Sequence, residues 1–172
     1  MANSLSGSQL SSIIEYETQS GRNKSGAFVP ASFNFKVRST DIAGGVNQLC
    51  KNGREESWMV FLFDTPNSSE NTEDRSLELQ YSFFGGRVGL EWVLIGPRNV
   101  ADEQIVTEFI RQRGHQVERI VMNQVEFLRV EDGDLSELGE NILESLYGVS
   151  PNAELGLIID GIVLSYGKRS NL

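Results

Sequence analysis

The chain has 172 residues with 15 basic and 24 acidic side chains, a net charge of −9, 39% apolar residues and one cysteine. That length buries about two-thirds of the unfolded surface, so a packed core needs no disulfide or metal staple, and the composition excludes the disordered and fibrous classes. The lone Cys50 has no partner within the chain, residues 1–9 lack the cationic start and apolar stretch of a secretory signal, and apolar runs such as Trp58 to Phe63 fall far short of the roughly 20 residues of a membrane span, so the expected compartment is the cytoplasm.

In chain order, residues 1–10 are Ser/Asn/Gly-rich and read as a flexible arm, leaving 11–172 as a single α+β domain. Ile13 to Thr18 and Ala27 to Arg38 read as strands. In the second, Phe33, Phe35 and Val37 alternate with Asn34, Lys36 and Arg38. Asp41 to Lys51 predicts a short helix with Ile42, Val46 and Leu49 on one stripe, weakened by Gly44-Gly45.

Trp58 to Phe63 is apolar at every position, which fits a central strand covered on both faces. The Asn/Ser/Glu-rich stretch 64–75 reads as an exposed loop and as the seam of any subdivision. Leu77, Leu79, Tyr81 and Phe83 alternate with polar residues, and Gly85-Gly86 supplies a tight hairpin turn into Val88 to Ile95.

Asn99 is positioned to cap a helix whose apolar stripe is Ile105, Val106, Phe109 and Ile110, and Gly114 closes it. Val117 to Met122 and Val125 to Val130 predict two strands turned at Asn123-Gln124. Asp134, with Glu137 three residues on, caps a second helix carrying Leu135, Leu138, Ile142 and Leu146 inward. Leu155 to Leu164 is one bulged strand or a hairpin about Asp160-Gly161, and the dipeptide favours the hairpin.

From Val88 onward the order is therefore strand, helix, strand, strand, helix, strand. The expectation is an α+β fold: a mixed or antiparallel sheet with two main helices, a ferredoxin-like βαββαβ order in the C-terminal half, and an N-terminal β-rich extension.

Little in the chain spells chemistry. The single His115 follows the Gly114 helix stop, so no cluster of imidazoles and no His-paired nucleophile arises beyond this one ring, and a helix-end role is the simpler account. Cys50 beside Lys51 is more simply an inert thiol than an activated one. Phe84-Gly-Gly-Arg-Val-Gly89 lacks the phosphate-loop spacings and leads into a strand, and Glu131-Asp-Gly-Asp134 lacks the calcium-loop spacing. No catalytic residue, metal site or cofactor is assigned. An RNA-binding sheet is disfavoured because Val125-Glu-Phe-Leu-Arg-Val130 lacks the aromatic platform and its basic surroundings.

Charge is unevenly spread. Residues 101–167 hold four basic and thirteen acidic side chains. Within them Glu131, Asp132, Asp134, Glu137, Glu140 and Glu144 gather around the last helix, the final three recurring at helical spacing opposite the leucines, and no Lys or Arg follows Arg129 until Lys168. Such a cluster ordinarily keeps a helix face solvated. Its functional reading is a landing surface for a basic protein, which suits a non-enzymatic inhibitor such as an immunity or antitoxin protein acting on a basic nuclease toxin; direct nucleic-acid and membrane binding are not expected. Two other readings stand beside it. One is an enzyme or small-ligand domain with a carboxylate pocket between the sheet and the 64–75 loop, drawing on Asp64, Glu91 and Trp92. The other is a subunit of a larger assembly.

Overall fold

The computed structural model describes residues 33–66 and 76–161. The expectations for the 1–10 arm, the Ile13 to Thr18 strand, the 27–32 part of the Ala27 to Arg38 strand, the 67–75 part of the loop and any hairpin arm beyond Gly161 lie outside those residues.

Seven strands form one sheet: β1 (Phe33–Arg38), β2 (Trp58–Asp64), β3 (Ser76–Phe84), β4 (Arg87–Val93), β5 (Glu118–Met122), β6 (Val125–Val130) and β7 (Glu154–Asp160). Their spatial order is β1-β7-β2-β3-β4-β6-β5, every neighbouring pair is antiparallel, and the sheet curls into a half-barrel. The four helices are α1 (Ile42–Asn52), α2 (Pro97–Ala101), α3 (Glu103–Gln112) and α4 (Leu135–Asn141), the last running on as a π turn over Ile142–Leu146.

This corrects the ferredoxin-like expectation. The strands from β4 onward follow the predicted sequence, with two helices rather than one between β4 and β5, and the neighbours β4-β6-β5 have the arrangement such a unit requires. In a ferredoxin-like unit, however, the last strand would pair directly with the first. Here the whole β2–β3 hairpin lies between β7 and β4, and β7 pairs with β1 and β2 instead. The physical reason lies in Trp58 to Phe63. Its apolar backbone strip, with Met59, Val60, Phe61 and Phe63 buried, belongs in the middle of the sheet, and β7 supplies its second partner. Strand β1 and the β2–β3 hairpin are thus part of the sheet rather than an extension, and the described residues hold four helices rather than two.

Alternation sorts the side chains into two faces. Cross-strand partners Ile159, Met59 and Tyr81, and likewise Leu157, Phe61, Leu79, Trp92 and Leu128, share one face. This face packs in one core with Ile42, Val46 and Leu49 of α1, Val106 and Ile110 of α3, and Leu135 and Leu138 of α4. The burial of that α1 stripe is what holds the helix despite its two glycines, since each Gly costs about 1 kcal/mol relative to Ala and a fully buried aliphatic side chain returns about 1.5–3 kcal/mol. Gly85 and Gly86, at φ 62° and 77°, make the predicted β3–β4 turn, and Asn123 and Gln124, at 49° and 68°, make the β5–β6 turn; both pairs have the two positive φ angles of the tight hairpin geometry that matches strand twist.

The helix expected after Asn99 differs in detail. It starts at Gly96 with Pro97 in its first turn and breaks at Asp102 into α2 and α3. Asp102 is held at the break by Arg98 Nε and by the Tyr147 hydroxyl, each at 2.9 Å. Asn99 caps nothing. It is buried, and its side chain accepts from the Glu78 N–H at 3.1 Å and donates to the Glu78 carbonyl at 2.9 Å, tying α2 to β3. Among the described residues no helix is long and apolar enough to cross a membrane.

Candidate docking surface and the buried ion pair

The six carboxylates singled out by sequence fall into two groups. Those in the turn from β6 to α4 are engaged by the fold. Glu131 Oε1 lies 2.7 Å from Arg129 Nε, and its other oxygen 3.8 Å from Arg87 Nη1. The Asp132 carbonyl lies 3.0 Å from His115 Nδ1; a carbonyl only accepts, so that nitrogen carries the hydrogen. The Asp132 carboxylate stands 3.6 Å from the same nitrogen. Gly133, at φ 74°, packs against the His115 ring, so the lone histidine ties the end of α3 to the start of α4. Asp134 caps α4 by accepting the Glu137 N–H at 3.0 Å, and that hydrogen bond holds its carboxyl below the usual aspartate range. With the loop carboxylates pointing to an arginine, a histidine and a helix N-terminus, they do not converge on a cation. Among the described residues no cluster of three or more His, Cys, Asp or Glu side chains is placed to hold a metal ion.

The second group is Glu137, Glu140 and Glu144. They stand on the side of α4 and its π turn away from buried Leu135, Leu138 and Ile142, with Glu137 and Glu144 exposed and Glu140 half-buried. None of the three enters an ion pair with a described residue. Burial pushes the Glu140 carboxyl above the usual glutamate range, and Glu144, Asp134 and Glu137 push in the same direction. The field reaches into the core. The Tyr81 hydroxyl, which donates to the Leu135 carbonyl at 2.9 Å, is held well above its ordinary pKa first by burial and then by Glu140 and Asp134.

Sequence reasoning named Glu91 but missed its buried pairing with Arg129. On the sheet face away from the helices, Glu91 is 0% and Arg129 3% exposed, and the two form a direct ion pair across β4 and β6. Every arm of the pair has a partner. Ser82 Oγ donates to Glu91 at 2.6 Å and accepts from Arg129 at 2.8 Å, Gln80 Nε2 donates to the other Glu91 oxygen, and Arg129 reaches the Arg87 carbonyl at 3.0 Å. The available signal was Gly89, since a glycine inside a strand marks a close approach and the Arg129 guanidinium lies where its Cβ would be.

Asp64, Glu91 and Trp92, weighed from sequence for a carboxylate pocket, are not brought together among the described residues, and the 67–75 stretch that would form its other wall lies outside them. Glu91 and Trp92 are neighbours on one strand and face opposite sides of the sheet; Trp92 is buried, stacked 5.9 Å from Tyr147 and donating to the Asn99 carbonyl at 2.9 Å. Asp64 stands exposed at the end of β2, receiving the Ser76 hydroxyl at 3.1 Å. Desolvation pushes the Cys50 thiol pKa up, the direction opposite to activation. No protein-family model matches the chain, and comparison with curated proteins and with solved structures likewise finds no match.

Proposed function

We propose that the protein is a non-enzymatic binding protein that docks a basic protein partner on the outer face of α4, in the manner of an immunity or antitoxin protein neutralising a cationic toxin such as a nuclease. One observation carries this reading. Glu137, Glu140 and Glu144 form a charge ridge that no ion pair with a described residue compensates, and Glu140, raised first by its burial, is raised further by the carboxylates of Glu144, Asp134 and Glu137. A cationic surface brought against the ridge relieves that repulsion, and relief gained only in the complex is binding energy. The ridge is carried on a helix capped at Asp134 and anchored through Leu135 and Leu138, so its charges are held in place before the partner arrives. The same negative field repels phosphate backbones, which sets direct nucleic-acid binding aside.

In this reading the six carboxylates divide the work. Glu131, Asp132 and Asp134 support the docking surface structurally, while the contacts fall to Glu137, Glu140 and Glu144. The lone, unactivated cysteine fits a reducing compartment, and the reading places the protein in the cytoplasm. The test is to purify the protein with what it binds in its native host, confirm that the partner is basic, and measure association of parent and E137K/E140K/E144K proteins. The reading requires slower association by the triple variant and a flatter dependence on salt; equal on-rates at low salt would refute it.

A further inference from the structure

We infer that the sheet face opposite the helices is a binding groove for an amphiphilic organic cation, an ammonium head on an apolar tail. This site is independent of the α4 ridge, which lies on the helical side of the molecule.

The curl of the sheet brings the tip of the β5–β6 hairpin toward the start of β2, and the two border, over β3, a half-open groove of about 570 Å³. That volume lies within the roughly 300–1,000 Å³ of ordinary small-molecule sites. Its two ends differ in chemistry. At the β2–β7 end stand Glu56 and Asp160: Asp160 is the cross-strand partner of Trp58, and Glu56 lies two residues before it. The corner is fixed by the Ser57 hydroxyl donating to the Gly161 carbonyl at 2.6 Å and by the Glu56 N–H donating to the Phe83 carbonyl at 2.9 Å. At the hairpin end stand Met122, Val125 and Phe127.

The ends therefore ask for opposite halves of one ligand. Glu56 and Asp160 are the charged side chains lining the groove, and neither enters an ion pair with a described residue. The nearest buried cation, Arg129, is bonded to Ser82 of the floor and is already committed to Glu91 and Glu131. On the floor the Ser82 hydroxyl and the Gln80 amide nitrogen both donate to Glu91, so Gln80 offers a ligand its acceptor oxygen. A head group that donates hydrogen bonds and carries positive charge is matched there, whereas an anionic head meets two carboxylates. Half-buried Trp58, beside the acidic corner, adds a ring face of the kind that attracts ammonium groups. The tail is matched by the methionine, valine and phenylalanine of the far wall.

The experiment titrates the full chain with octylammonium, octanoate and 1-octanol, which share a tail and differ in the head, using calorimetry for affinity and amide NMR shifts for location. Octylammonium is expected to bind saturably, about tenfold or more tighter than octanoate, with shifts centred on residues 56–58, 80–84 and 121–127. The exposed-corner variant E56Q/D160N should lower octylammonium affinity about tenfold, to that of octanol, with an unchanged unfolding midpoint. Equal or tighter octanoate binding, octylammonium affinity indifferent to E56Q/D160N, shifts elsewhere in the molecule, or no saturable octylammonium binding would each overturn the assignment.

Discussion

The guanidinium of Arg129 lies directly over the Cα of Gly89, in the space where any other residue would place its Cβ. The arginine is thereby held against Glu91, buried with it, and bonded on its far side to Glu131. Breaking such a pair from one side leaves an uncompensated buried charge. Glu91→Gln should therefore cost about 3–5 kcal/mol in urea unfolding, and Gly89→Ala, which displaces the guanidinium, about 2–4 kcal/mol. Replacing both charges by leucine should recover most of the loss. A single Glu91→Gln variant as stable as the parent would mean the pair does not carry this part of the sheet.

Asn99 joins α2 to β3 through both backbone groups of Glu78. Removing its amide leaves a donor and an acceptor without partners, so Asn99→Ala should cost about 2–4 kcal/mol. The loss should appear as faster hydrogen exchange of the Glu78 amide. Retained protection at that amide would contradict the assignment.

Two carboxylates of α4 titrate in opposite senses. Asp134 has a depressed folded pKa, so its contribution is present above the ordinary aspartate value of about 3.9 and is lost as pH falls through the lower folded value. Asp134→Ala should cost about 1 kcal/mol at neutral pH and lose that deficit in acid. Glu140 has a raised folded pKa, so its contribution is present below the ordinary glutamate value of about 4.3 and disappears as pH rises through the folded value. Glu140→Gln should consequently be more stable than the parent at neutral pH and indistinguishable from it in acid. Unfolding midpoints across pH give both slopes, and a Glu140→Gln variant weaker than the parent at neutral pH would show that the ridge is not repulsive.

The Tyr81 hydroxyl donates to the Leu135 carbonyl, and its oxygen fills the space a side chain at Gly139 would need. Tyr81→Phe should cost about 1 kcal/mol. Gly139→Ala should cost more, because the tyrosine is enclosed by β3 and α4 and has no room to yield. The reverse order of thermal midpoints would exclude this packing.

Local structure was legible where one segment dictates its own conformation. The Gly85-Gly86 and Asn123-Gln124 turns, the Asp134 cap and the alternation of β3 follow from turn chemistry, capping and period, and they form as the sequence predicts. What sequence could not supply was pairing at long range. The insertion of β2 and β3 between β7 and β4 depends on which strands meet, and hydrophobic periodicity is silent on that. Asn99 misled because an asparagine before an apolar stripe has the form of a cap, whereas its amide is taken by Glu78, 21 residues earlier. For the candidate site, spacing placed Glu137, Glu140 and Glu144 on the outer face of α4, but it could not separate them from Glu131 and Asp132, whose partners come from β4, β6 and the segment after α3, or from Asp134, which caps α4 itself.

The most direct measurement is the association rate with the basic partner as a function of ionic strength, for the parent and for E137K/E140K/E144K. Steering by the α4 ridge predicts a parent rate that falls steeply with salt, and a triple variant about tenfold or more slower at low salt whose rate scarcely responds to it. Superimposable salt profiles for the two proteins would contradict the docking account.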